Sequence, residues 1–191
     1  MRRVVVLGTA GSGKTTLARE LARRMGVPHV ELDALHWGPN WTGAPREEFR
    51  RRVSAAIAPQ RWTLDGNYAA VRDLTLARAD TIVWLDYPMS VVFTRCLRRT
   101  LARGLRGELL WADNRESLWL SFCSSESILL WVIQTWRKHR RDYPRLLRRG
   151  ACRHARVVRL RSQAETDRWL AELEGRASSG DGSVARVEVL K

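Results

Sequence analysis

Cysteine is scarce in this chain: three residues in 191, at Cys96, Cys123 and Cys152, with no CxxC pair among them. That spacing argues against a zinc site, and so small and odd a number excludes a disulfide framework. No apolar leader precedes the first strand-like run, so the expected setting is a reducing cytoplasm. Lysine is scarce too, occurring only as Lys14, Lys138 and Lys191, and the formal net charge of +14 is therefore carried by arginine. Six Pro and 13 Gly are too few for a low-complexity chain. An uninterrupted apolar run of membrane length is also missing. The most apolar stretch, SLWLSFCSSESILLWVI (117–133), holds Glu126 and five Ser, and reads as a buried or lid-lining helix.

What remains is an ordinary globular mixture, 45% hydrophobic and 28% charged, long enough for one domain with a substantial core. The arginine excess favours polyanionic partners such as nucleotides or nucleic acid, or else reflects a solvated surface.

Short β-branched runs alternate with helix-period segments. Strands are expected at VVVLG (4–8), HVELD (29–33), RWTLDG (61–66), TIVWLDYP (81–88) and ARVVRL (155–160). Helices are expected at 15–25, 45–58, 70–79 and 89–104, from about 118 or 127 to Tyr143, and at 163–175. Pro88 should stop the fourth strand, Gly104 the fourth helix, and Pro144 should disturb the fifth. The alternation implies an α/β fold with a parallel sheet and helices on both faces. The expected domain is 1–175, with a lid near 104–126 and a loose tail at 176–191.

Gly8-Thr9-Ala10-Gly11-Ser12-Gly13-Lys14-Thr15 satisfies GxxxxGK[ST], between a strand and a helix. The glycines let backbone N–H groups wrap inward around phosphate oxygens, and the helix N-terminus adds partial positive charge. Lys14 can reach the β- and γ-phosphates and the Thr15 hydroxyl can ligate Mg²⁺; Thr16 completes the predicted nucleotide contacts. Asp65 ends a strand at the sheet's carboxyl edge, where it could hold the metal or, alternatively, serve the Asp-Gly turn. Asp33 reads as the end of the second strand. With Trp37 and Trp41 after it, it suits a pocket for a hydroxyl- or ring-bearing acceptor, although the two indoles could equally pack the loop. Arg95 and Arg99 share one helix face, suited to closing guanidinium groups on a transferring phosphate. The basic residues from Arg137 to Arg161 offer a rival reading as a nucleic-acid track, unaccompanied by any helix-turn-helix, zinc-finger or RNP signature.

The ordered series GTAGSGKTTLA, LDALHW, PREEF, WTLDGNY, ARADTIVWLDYP and RCLRRTL resembles the adenylate-kinase-like P-loop proteins of the topology modulation protein family, over residues 2–175. The resemblance implies a nucleoside-monophosphate-kinase-like P-loop NTPase fold, sheet order 2-3-1-4-5, with ATP and Mg²⁺ as cofactors. DGNY stands where adenylate kinases carry DGFPR, so the arginine that grips a monophosphate acceptor is not in its place. Asn67 and Arg72 become the candidate acceptor contacts there. The expected function is a kinase moving the γ-phosphoryl group of MgATP to a nucleoside monophosphate or other small metabolite. The alternative is a P-loop NTPase with a regulatory or DNA-linked role.

Overall fold

The structure, a computed structural model, describes residues 1–106, 111–114, 128–148, 152 and 154–179. Most of the expected lid and residues 180–191 of the expected tail lie outside the described residues, as does most of the apolar stretch 117–133. Among the described residues, no helix is long and apolar enough to cross a membrane.

Five strands form one parallel sheet: β1 (Arg3–Gly8), β2 (His29–Glu31), β3 (Trp62–Asp65), β4 (Thr81–Leu85) and β5 (Arg156–Leu160). Their order is β2-β3-β1-β4-β5, the order implied by the resemblance. The order in which strands are added reverses at β1, so the phosphate loop leaves β1 between β3 and β4, where a parallel sheet opens a crevice.

Alternation along β1 divides the core. Val5 and Leu7 face one side, with Phe49 and Val53 of α3 (Arg46–Ala56) and Leu76 of α4 (Arg72–Arg78). Val4 and Val6 face the other, with Leu17, Ala18 and Leu21 of α1 (Lys14–Met25) and Val92 and Cys96 of α5 (Met89–Arg106). Each large apolar side chain buried here contributes about 1.5–3 kcal/mol relative to exposure. Trp169 of α7 (Gln163–Ser179) closes the second side.

Helix α6 (Ile128–Arg148) joins the two cores: Val132 packs in the second, Tyr143 and Leu147 in the first. Several expectations about boundaries need correcting. Pro144 lies inside α6 and does not end it, because burial of Tyr143 and Leu147 on either side offsets the lost N–H. Helix α5 runs through Gly104 to Arg106, and α7 runs past Gly175 to Ser179. Strand β4 stops at Leu85, three residues before Pro88. Strand β2 stops at Glu31, and the next residues form α2 (Leu32–His36). Asp33 thus sits in the first turn of a short helix and not at a strand end.

Candidate active site

The phosphate loop turns on two glycines with left-handed backbone, Gly11 at φ 81° and Gly13 at φ 90°. These signs turn successive N–H groups toward one concavity, and Gly13 hands over directly to α1. The loop is braced from several directions. The Asn67 amide donates to the Gly8 carbonyl. The Thr9 hydroxyl and His139 Nδ1 of α6 lie 3.3 Å apart. Ser12 is buried and its Oγ has no hydrogen-bond partner among the described residues.

Thr15 and Asp65 lie against each other. Thr15 Oγ1 donates to Asp65 Oδ2 at 2.5 Å, while His29 Nε2 lies 2.7 Å from Asp65 Oδ1. Asp65 is 1% exposed, so both carboxylate oxygens are occupied in a buried setting. Among the described residues, no group of three or more His, Cys, Asp or Glu is arranged to enclose a metal ion. This donor set fits Mg²⁺, which keeps several waters and takes few protein ligands.

A cleft of about 660 Å³ opens at the loop. Its lining includes Gly11 to Thr16, the arginines Arg95, Arg99 and Arg103 of α5, and Gln163, Thr166 and Asp167 of α7. Arg95 lies over the Tyr87 ring and donates to Gln163 Oε1 at 3.0 Å. Its guanidinium also sits beside Gly13. Arg99 approaches Cys96 Sγ at 3.8 Å, and its Nε is buried without a partner among the described residues. Both arginines thus flank the phosphate loop.

The same cleft is also lined by Glu31, Asp33 and Trp111. Burial pushes the Glu31 carboxyl above its usual range, reinforced by the nearby Asp65 and Asp33 carboxylates. Asp33 Oδ1 accepts the Tyr68 hydroxyl at 2.6 Å. Burial and that carboxylate push the Tyr68 phenol well up, so it remains a donor. Trp37 packs edge-on against Trp41, and Trp41 against Trp111, with centroids 5.7 and 6.4 Å apart. Buried Asn114 ties these loops together: it accepts the Trp41 N–H at 2.9 Å and donates to the Gly38 and Trp111 carbonyls. Trp111 lines the cleft, and Trp37 and Trp41 stand behind it. His36 packs among Trp37, Phe49 and Tyr68.

Arg72 opens α4 on the opposite side of the loop. There it and Lys14 help burial push the His139 imidazole down to about 4. Neither Arg72 nor Lys14 has a carboxylate partner among the described residues, which leaves unbalanced positive charge beside the loop. No local motif in the sequence marks His29, Glu31, Tyr68 or His139 as a site residue. Only the β2–β3 register, Glu31 opposite Asp65, and the path of α6 bring them in.

Residues 4–86 match the family described as ATPase family associated with various cellular activities (AAA). A shikimate kinase of Symbiobacterium thermophilum is 30% identical over 115 residues. That match spans 52% of this chain and 66% of the relative, slightly less than two thirds of its length. Among solved structures, shikimate kinase from Bacteroides thetaiotaomicron aligns with TM-score 0.54 at 18% identity, covering 93% of this chain and 98% of the other. Shikimate kinase from Acinetobacter baumannii, in complex with shikimate, aligns with TM-score 0.52 at 16% identity, covering 94% of each. Together with the sheet order, these matches show a P-loop NTPase fold. It is the fold that small-molecule kinases use.

Proposed function

We propose that this chain is an ATP-dependent kinase for a small metabolite bearing a hydroxyl group. The observation that carries this reading is that one cleft is lined by the loop and the α5 arginines and also by Glu31, Asp33 and Trp111. A nucleotide at one end and an acceptor at the other would share one enclosed space. The shikimate kinase relatives support the reaction class, and the acceptor is left open among small metabolites, nucleoside monophosphates included. The LDALHW and DGNY segments keep the narrower adenylate-kinase-like, topology modulation assignment as part of the proposal.

The loop amides and Lys14 would bind the β- and γ-phosphates, with Arg95 and Arg99 closing from α5. Thr15 and Asp65 would hold Mg²⁺, which would supply charge neutralisation on the phosphates when bound. Asp33 keeps one oxygen on Tyr68; the other, without a hydrogen-bond partner among the described residues, would accept a hydrogen bond from the acceptor hydroxyl. Arg72 would approach the transferring group from α4. Positioning and charge stabilisation carry most of such a reaction, so a strong base is not required.

The test is transfer of labelled γ-phosphate across a panel of nucleoside monophosphates and hydroxylated metabolites. A phosphorylated product lost in Lys14→Ala supports the kinase. The exposed basic side chains of α6, Arg137, Lys138 and Arg145 among them, favour the second reading, an NTPase acting on nucleic acid. That reading predicts phosphate release accelerated by DNA, with binding that weakens steeply as salt rises. Phosphate release without any acceptor product, stimulated by DNA, would replace the kinase reading with it.

A further inference from the structure

We propose that His29 is a positioning residue for the metal-binding side of the phosphate loop. It rests on the nucleotide-site reading above and does not depend on which acceptor is used. The observation is a three-residue chain across the sheet's carboxyl edge. His29 Nε2 meets Asp65 Oδ1 at 2.7 Å, and Asp65 Oδ2 meets Thr15 Oγ1 at 2.5 Å.

The direction of the protons follows from the chemistry. An ionised carboxylate only accepts, so the imidazole carries its proton on Nε2, and the Thr15 hydroxyl spends its only proton on Asp65. The remaining lone pairs of Thr15 Oγ1 are then left for a cation. A hydroxyl free to rotate could present its proton to the metal instead. Asp65 removes that freedom only if its own carboxylate is held in one plane, and His29 is what holds it.

The backbone makes the arrangement rigid. The β2–β3 register sets His29 opposite Thr63 and Glu31 opposite Asp65, so the imidazole reaches diagonally along the same sheet edge. Thr63 Oγ1 in turn donates to the Ala18 carbonyl at 3.0 Å, fixing β3 against α1, the helix that carries Thr15. The His29 side chain is 15% exposed and that of Asp65 1%. In so dry a setting an unpartnered carboxylate oxygen is costly, and the carboxylate would turn to find another donor. Outer hydrogen bonds of this kind typically change metal affinity by about 10–100-fold when removed.

The experiment measures Mn²⁺ binding to the full chain with a non-hydrolysable ATP analogue, by electron paramagnetic resonance. Analogue binding without metal is measured alongside, by calorimetry. His29→Leu should weaken Mn²⁺ about tenfold and leave metal-free analogue binding within about twofold. His29→Gln, which keeps a donor, should recover most of the loss. If His29→Leu fails to fold, His29→Asn, polar but too short to reach Asp65, replaces it with the same expected loss. Unchanged Mn²⁺ affinity in the folded donor-less variant overturns the proposal and leaves His29 a packing residue. A loss of metal and metal-free analogue binding by equal factors overturns it as well. If the wild-type chain itself binds no analogue, the nucleotide-site reading falls with it, whereas failure to find an acceptor bears only on the kinase reading.

Discussion

Gly11→Ala and Gly26→Ala make a matched pair in which one physical difference can be weighed. Both glycines have left-handed backbone, φ 81° and 59°. An alanine at either position pays a left-handed penalty of about 1–2 kcal/mol. Around Gly26, at the end of α1, a Cβ would meet nothing within 4 Å, so that penalty is the whole effect. At Gly11 a Cβ would lie 2.5 Å from the Val92 carbonyl oxygen, 3.0 Å from Cys96 Cβ and 3.1 Å from Cys96 N. Two of these atoms belong to the backbone of α5 and cannot swing aside. Forcing them apart adds about 1–3 kcal/mol, the usual cost of overpacking. Gly11→Ala should therefore cost about 2–5 kcal/mol against about 1–2 for Gly26→Ala. Urea unfolding of both variants gives the numbers, with unchanged m-values showing that the unfolded state is unaltered. Displacing α5 also moves Arg95 and Arg99 away from the loop, so Gly11→Ala should weaken nucleotide binding where Gly26→Ala does not. Equal destabilisation with unimpaired nucleotide binding in both would refute the claim that α5 packs directly on the loop.

Three further outcomes follow from the same geometry. Asp86, 1% exposed at its side chain, accepts from Arg159 at 2.5 Å and pairs with Arg140 at 3.0 Å. Asp86→Ala strands the Arg159 charge and should cost about 3–5 kcal/mol, whereas Arg140→Ala, at a partner whose side chain is 43% exposed, should cost under about 1 kcal/mol in denaturant titrations. The His139 imidazole takes its proton near 6.5 in the unfolded chain and near 4 when folded. The unfolded state thus binds more protons between these values, and stability falls as pH drops from about 6.5 toward 4. Urea midpoints of His139→Asn should lack that component of the slope; parallel profiles for the two proteins would contradict it. Tyr68→Phe removes the donor to Asp33 and should cost about 1 kcal/mol of stability. It should also shift the acceptor KM more than the ATP KM in the transfer assay; an unchanged acceptor KM would remove Asp33 from the acceptor end.

The parts legible in the sequence were those written in local pattern. Val4 to Gly8 followed by Gly11, Gly13 and Lys14 encodes its own strand, loop and helix, because each residue's role depends on near neighbours. Alternation and helix period likewise place the sheet and its flanking helices. HVELD reads as one β-like run, which puts Asp33 in a strand. The chain instead turns into α2 at Leu32, whose buried side chain packs against Gly66 of the next strand's turn, a long-range contact that local pattern does not carry. Pro144 was expected to disturb α6 for a similar reason: the penalty is local, while the burial that outweighs it comes from the sheet. His29 and His139 reach the site only through strand register and the path of α6 across the sheet edge. Nothing in their own neighbourhoods distinguishes them from ordinary polar residues.

The central claim is that the loop from Gly8 to Thr15 grips a nucleoside triphosphate, with Lys14 as counter-charge. Calorimetry of the folded chain with ATP and magnesium tests it most directly. Saturable heat at one site per chain, lost in Lys14→Ala while that variant stays folded, is the predicted result. No heat from the folded wild-type protein at millimolar ATP would contradict it.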